Sequence, residues 1–275
     1  MCGRDEKRRK LLKTIDPEGH YKSKALLPFV GKRLIDWQLE ALRQSPYVGE
    51  IFLVGLSEAD VKFDYPVEYI PVKTESDIAD KFIAGVDYLE AQGKNPDLIV
   101  ISTSDAPGIQ PEDINLFFEK VVELNDAEVI LSLVPEDVLE SAFPGSSRVV
   151  IRLKDHHLIP GELYALSPRA IRIGKPVISQ LSQRRREINR QKKNISVGPV
   201  IRMLAQNPAL WPVIIKYLLG TATLANAERA FSKAYDCKSR AVIIADAGFG
   251  MDMDLPEDYE RLAEFVEQKK IVQGI

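Results

Sequence analysis

Leu98-Ile99-Val100-Ile101-Ser102, with Thr103-Ser104-Asp105-Ala106-Pro107-Gly108 after it, is the stretch that decides the fold. A short apolar run without polar alternation reads as a strand buried on both faces, and the small, acidic and turn-forming residues that follow read as a loop at its carboxyl end. On the amino side, Ser76 precedes Ile78, Phe82, Ile83, Val86 and Leu89, which share one helical face, and Gly93 stands where such a helix stops. On the carboxyl side, Pro111 opens a helix whose Ile114, Phe117, Phe118, Val121 and Val122 recur at helical spacing. Residues 51–55 (IFLVG) and 128–134 (EVILSLV) predict further buried strands, and a helix over residues 35–44 leads into the first of them. Strand and helix alternate, as in a mainly parallel sheet sheathed by crossover helices.

Beyond residue 145 the period changes. Residues 148–153 and 161–167 predict two strands joined across Lys154-Asp155-His156-His157, an antiparallel ribbon lying to one side. From 168 to 238 the chain is mostly helical and reads as an insertion; residues 240–245 then resume the strand pattern, followed by the loop Gly248-Phe249-Gly250-Met251-Asp252-Met253-Asp254 and a helix opened by Pro256. The expected architecture is α/β, a three-layer αβα sandwich around a mainly parallel, mixed sheet of Rossmann-like type. It forms a single domain over 1–275 with a helical insertion over 168–238.

The 275 residues are 45% hydrophobic, with 37 Lys and Arg against 40 Asp and Glu, so a sizeable core is expected and disorder is not. A net charge of -3 argues against a dedicated nucleic-acid partner. Cys2 and Cys237 are too few for a disulfide framework or a four-thiolate zinc site. The charged amino terminus is unlike a signal peptide and no long apolar run spans a membrane, so a cytoplasmic location is the expectation. P-loop, dinucleotide and nucleophile-elbow patterns are all missing from the sequence.

Two acidic loops each follow a strand: Asp105 after 98–102, and Asp252 with Asp254 after 240–245. In open α/β sheets ligands bind outside the carboxyl ends of the strands, so these remote carboxylates can converge on a metal. Magnesium suits such a site, because it takes few carboxylates and completes its octahedron with water and phosphate oxygens. Each aspartate alone is equally well explained as a helix cap or turn residue. The run Lys22-Ser23-Lys24-Ala25-Leu26-Leu27-Pro28, then Gly31-Lys32, is either a phosphate-neutralising element or a solvated basic loop, and spacing leaves both open.

Taken together these stretches resemble the nucleotidyltransferases of the glycosyltransferase-A-like (GT-A) fold, the group that includes molybdenum-cofactor and sugar-phosphate nucleotidyltransferases. The likeness rests on three islands in one order: Lys24-Ala25-Leu26-Leu27-Pro28 with Gly31-Lys32, Ser104-Asp105-Ala106-Pro107, and residues 250–258 (GMDMDLPED). It covers roughly residues 3–135 and 240–266. The resemblance implies that Lys24, with Lys22 as its rival, contacts nucleotide phosphates, that Asp105 binds magnesium, and that Asp254, supported by Asp252, completes the metal site. It also implies nucleotide contacts at Gly3, Arg4, Gly55, Ser76, Asp77 and Ser104, with base selection around residues 55–57 and 73–77. Family members begin with a buried strand running into a glycine-rich phosphate loop, of which only Gly3-Arg4 remains here. Either the start codon is placed too late or part of the phosphate cradle is lost.

The implied activity is magnesium-dependent transfer of a nucleoside monophosphate from a nucleoside triphosphate to a phosphorylated small-molecule acceptor, with release of pyrophosphate. Two other readings keep the fold: a glycosyltransferase using a nucleotide-sugar donor, and a non-catalytic nucleotide-binding or scaffold protein with a truncated phosphate loop. The lysine island favours the first activity, since a preformed diphosphate donor has less use for Lys24. Residues 184–193 carry six basic residues and one acid ahead of the apolar stretch 208–219. That combination fits peripheral contact with an anionic membrane through 184–219, or a solvated helix followed by one packed on the domain or on a second subunit of a homodimer.

Overall fold

A computed structural model describes residues 1–3, 8, 10–73, 76–146, 148–188 and 198–273, with the backbone alone for 182–188 and 272–273. A short helix α1 (Lys10–Ile15) precedes a hairpin of β1 (Pro28–Phe29) and β2 (Lys32–Arg33). Next come α2 (Leu34–Gln44), β3 (Phe52–Val54), β4 (Glu68–Ile70), α3 (Ile78–Ala91), β5 (Ile99–Ser102), α4 (Pro111–Glu123) and β6 (Val129–Pro135). Then α5 (Glu136–Ala142), β7 (Ile151–Arg152) and β8 (His157–Leu166) follow, and α6 (Pro168–Ile188), α7 (Gly198–Leu204), α8 (Trp211–Leu218) and α9 (Leu224–Tyr235) separate β8 from β9 (Ser239–Ile243). Helix α10 (Pro256–Gln273) comes last.

The predicted helices form for the predicted reasons. Asp77 caps α3 by accepting from the Asp80 N–H at 2.9 Å while the Asp80 carboxylate accepts from the Asp77 N–H, and Gly93 ends the turn at φ +72°. Pro111 starts α4, and Ile114, Phe117 and Val121 enter the core. Val122, grouped with them in sequence, is exposed because it falls past the edge of that arc.

The sheet comes in two halves. β3 and β4 pair in parallel; the other half runs β5-β8-β6-β9, with β6 parallel to β9 and β8 antiparallel to both β5 and β6. Strand β8 corrects the sequence expectation. The ribbon placed to one side is in fact central, since β8 is hydrogen-bonded along both edges and buried over most of its length, with β7 pairing only its first two residues. Pro160, which reads as a strand breaker, sits opposite Leu133 at a register shift, where a missing N–H is tolerated.

Between the halves lie Met1 to Gly3. The Cys2 N–H donates to Val54 O at 2.9 Å and the Met1 ammonium to Ser102 O at 2.7 Å, so these residues bridge β3 and β5. A mostly apolar cavity of about 640 Å³ continues between the halves, walled by Leu39, Val54, Val86, Leu89, Ile99 and Ile101 among others.

Candidate active site

Asp105 follows β5 and Asp252 and Asp254 follow β9, so both loops leave the sheet at carboxyl ends of strands that point the same way. What brings them together is backbone as much as side chain. The Met253 N–H donates to Asp105 O at 2.8 Å, and Gly248 packs so closely on Gly108 that a Cβ on Gly248 would lie 2.2 Å from Gly108 O. Phe249, Met251 and Met253 are fully buried, which holds the intervening Asp252 and Asp254 at the site. Ligand oxygens of Asp105, Asp252 and Asp254 lie within 4.8 Å of one another. A cluster of hard oxygen donors on two rigid loops is a fitting donor set for a divalent cation such as magnesium.

Lys24 completes the group. Ser23 caps a tight turn by accepting from the Ala25 N–H, and burial of Ala25 and Leu27 fixes the turn against the core, so that Lys24 points at the carboxylates. Its Nζ lies 2.5 Å from Asp105 Oδ2, 2.5 Å from Asp254 Oδ1 and 3.0 Å from Met253 O. Burial opposes its charge, but Asp105, Asp254 and Asp252 outweigh that, and the ammonium is held well above the ordinary lysine range. Lys22, by contrast, is exposed and faces Asp60 at 3.9 Å, apart from this group.

A residue the sequence reading did not single out is Arg148. Its Nη1 pairs with Asp252 Oδ1, and its Nη2 donates to Asp252 O at 2.5 Å and lies 3.4 Å from Asp258 Oδ2. Asp258 in turn accepts from the N–H groups of Asp254 and Leu255, at 3.1 and 2.8 Å, and so pins the loop that carries Asp252 and Asp254 to the start of α10. Burial raises the Asp258 carboxyl, with Arg148 pulling the other way. An arginine beside an apolar run carries no local mark of a partner 104 residues away.

The remaining predicted contacts are dispersed. Gly3 and Gly55 meet at a corner where Gly55, at φ +110°, passes so close to the Cys2 carbonyl that no side chain fits; Lys81 Nζ donates to that same carbonyl at 2.8 Å. Ser104 is buried beside Cys2, directly before Asp105, so this corner adjoins the carboxylates. Asp77 spends its oxygens on capping α3 and on the Ser179 hydroxyl of α6 at 2.6 Å, and the half-buried Ser76 donates its N–H to Lys73 O. Arg4 lies outside the described residues.

A profile of the MobA-like NTP transferase domain matches residues 19–236. The chain belongs to that family. It is a nucleotidyltransferase by membership. Among solved structures it is similar to a hypothetical transferase from Thermus thermophilus, with a TM-score of 0.62 at 23% identity over 87% of this chain and 91% of that one. A CMP:2-keto-3-deoxy-manno-octonic acid synthetase complexed with CTP superposes with a TM-score of 0.55 at 16% identity, covering 91% and 94% of the two chains. A Methanothermobacter nucleotidyl transferase gives 0.50 at 15% identity over 97% and 94%. These likenesses bear out the GT-A-like fold. No curated protein matches the chain in sequence.

Proposed function

We propose that this nucleotidyltransferase, acting in the cytoplasm, moves a nucleoside monophosphate from a nucleoside triphosphate to a phosphorylated small molecule, with magnesium held by Asp105 and Asp254. The fold domain spans 1–275 and 168–238 is its insertion. The observation that carries the reading is the convergence of Lys24, Asp105 and Asp254, each from a different loop, with Nζ 2.5 Å from both carboxylates.

An acceptor phosphate oxygen, already ionised at neutral pH, attacks the α-phosphorus in line. A new P–O bond forms, the bond from the α-phosphorus to the bridging oxygen breaks, and that oxygen leaves with its electron pair as pyrophosphate. No general base is needed; His20 faces Asp16 and Glu18, and His157 faces Glu136 at 3.2 Å. Bound magnesium supplies charge neutralisation on the triphosphate. Lys24 offsets charge that develops at the α-phosphate, and Asp258 and Arg148 fix the loop that carries Asp252 and Asp254.

Pyrophosphate release from CTP, UTP, GTP and ATP, each with a panel of phosphorylated sugars and alditols and with magnesium, tests this. Release with one nucleotide and one acceptor class is expected. Binding of nucleotide without release under every combination would turn the reading toward the scaffold alternative, and transfer from a nucleotide-sugar donor alone would turn it toward the glycosyltransferase.

A further inference from the structure

Helix α8 is apolar on nearly every side. Of residues 211–219 only Lys216 is charged, yet none of the residues in α8 is buried. Trp211, Ile215, Leu218 and Leu219 lie on one arc of the helix and are 54%, 55%, 68% and 71% exposed. The Trp211 indole N–H is already satisfied by Ala205 O at 2.8 Å, so what the side chain offers outward is ring surface. A helix of this composition is ordinarily covered on all sides. Here the protein covers one side only.

Charge indicates what covers the other. Arg169, Arg172, Lys175 and Lys238, at the two ends of the helical segment, pair with Glu128, Asp87, Asp80 and Asp126 of the sheet and its helices. Between them, residues 176–237 still hold ten Lys and Arg against three Asp and Glu, a net of +7, while the rest of the chain carries -10. A second copy seated symmetrically on α8 would bring Lys216, Arg229 and Lys233 of α8 and α9 toward the same residues of its partner. An anionic bilayer rewards the same charge, takes the Trp and Leu side chains at its interface, and repels the acidic remainder of the molecule, which fixes the orientation. Among the described residues no helix is long and apolar enough to cross a membrane, so contact of this kind is peripheral.

We propose that α8 is a docking surface for an anionic phospholipid bilayer, with Trp211, Ile215, Leu218 and Leu219 entering the interface and Lys216 of α8 with Arg229 and Lys233 of the adjoining α9 supplying the attraction. This does not rest on the transferase reading, because it is read without turnover. The test is flotation of the full chain with phosphatidylcholine vesicles, with and without phosphatidylglycerol. At low salt the bound fraction on anionic vesicles should exceed that on neutral ones about tenfold and fall at high salt. The double variant Trp211→Ser, Leu218→Ser should lose about tenfold in binding with an unchanged melting temperature, and reversal of Arg229 and Lys233 of α9 to Glu should weaken binding while leaving the apolar residues of α8 in place. Absence of flotation on anionic vesicles at low salt, or equal flotation of the variants, overturns the proposal. So does sedimentation equilibrium showing a dimer that the double variant converts to monomer, which would assign the face to a second copy.

Discussion

At the strand ends charge is buried and apolar residues hold it there; on α8 apolar surface is exposed, with Lys216 the one charged residue of the helix. Asp105, Asp252 and Asp258 are all buried, each tied to Lys24, Arg148 or backbone N–H groups, and the methionines between the aspartates anchor the loop. Nothing in α8 is anchored in that way. Buried charge is tolerable only when every member has its partner, so the site is a coupled unit in which one substitution is felt throughout. Exposed apolar surface has no such coupling, and its cost is carried by solvent until something covers it. The two regions should therefore respond to mutation in different currencies: the first in turnover and stability, the second in where the protein goes.

The largest effect is expected from Asp105→Ala. Loss of an ionic contact realised in the transition state typically costs several kcal/mol, so turnover should fall by about two decades or more in a steady-state pyrophosphate assay. Near-normal turnover would detach Asp105 from the chemistry. Arg148→Met comes next, as a test of coupling by stability: it leaves Asp252 and Asp258 without their counter-charge, and a loss of about 3–5 kcal/mol is expected, read as a drop on the order of 10 °C in melting temperature. A shift as small as that expected for the α8 double variant would erase the contrast between the regions.

The smallest effect runs the other way. Asp113, in the first turn of α4, has a buried Oδ2 with no hydrogen-bond partner; burial first, and then Asp246, push its carboxyl up to about 6, against a pull from Lys269. The folded protein thus holds a proton that the unfolded chain has released, and stability contributed by that group is lost as pH rises from about 4 to about 6. Asp113→Asn should be more stable than the parent at neutral pH by roughly 1–2 kcal/mol, with the advantage vanishing below about pH 4. Melting temperatures across that range check it, and a variant less stable at pH 7 would mean that Asp113 has a compensating partner.

Much of this was legible in the sequence where the physics is local. The apolar runs of β3, β5, β6 and β9 and the periodic faces of α2, α3 and α4 declare themselves, and Lys24, Asp105 and Asp254 follow once the loops are placed at strand ends. Strand β8 was legible only from Gly161 on, and its earlier start and central place were not, because Pro160 and Gly161 look like breakers until the neighbour is known: Gly161 faces Ser132 so closely that a Cβ would lie 2.3 Å from its hydroxyl oxygen. Between Lys22 and Lys24 spacing is indifferent, and burial of Ala25 and Leu27 makes the choice. Arg148 was hidden because an ion pair across the fold leaves no period in the chain.

The break between β4-β3 and β5-β8-β6-β9 also governs how the molecule comes apart. The backbone of Met1 and Cys2 joins the halves through hydrogen bonds to Ser102 and Val54, and the space beside it is a cavity instead of a ladder. Cooperative opening follows such seams. Amide hydrogens of β3 and β4 should exchange with deuterium through a partial opening that leaves β6 and β8 protected. A single melting curve would then report the larger half, with the corner where Gly55 meets Cys2 already loosened below that temperature.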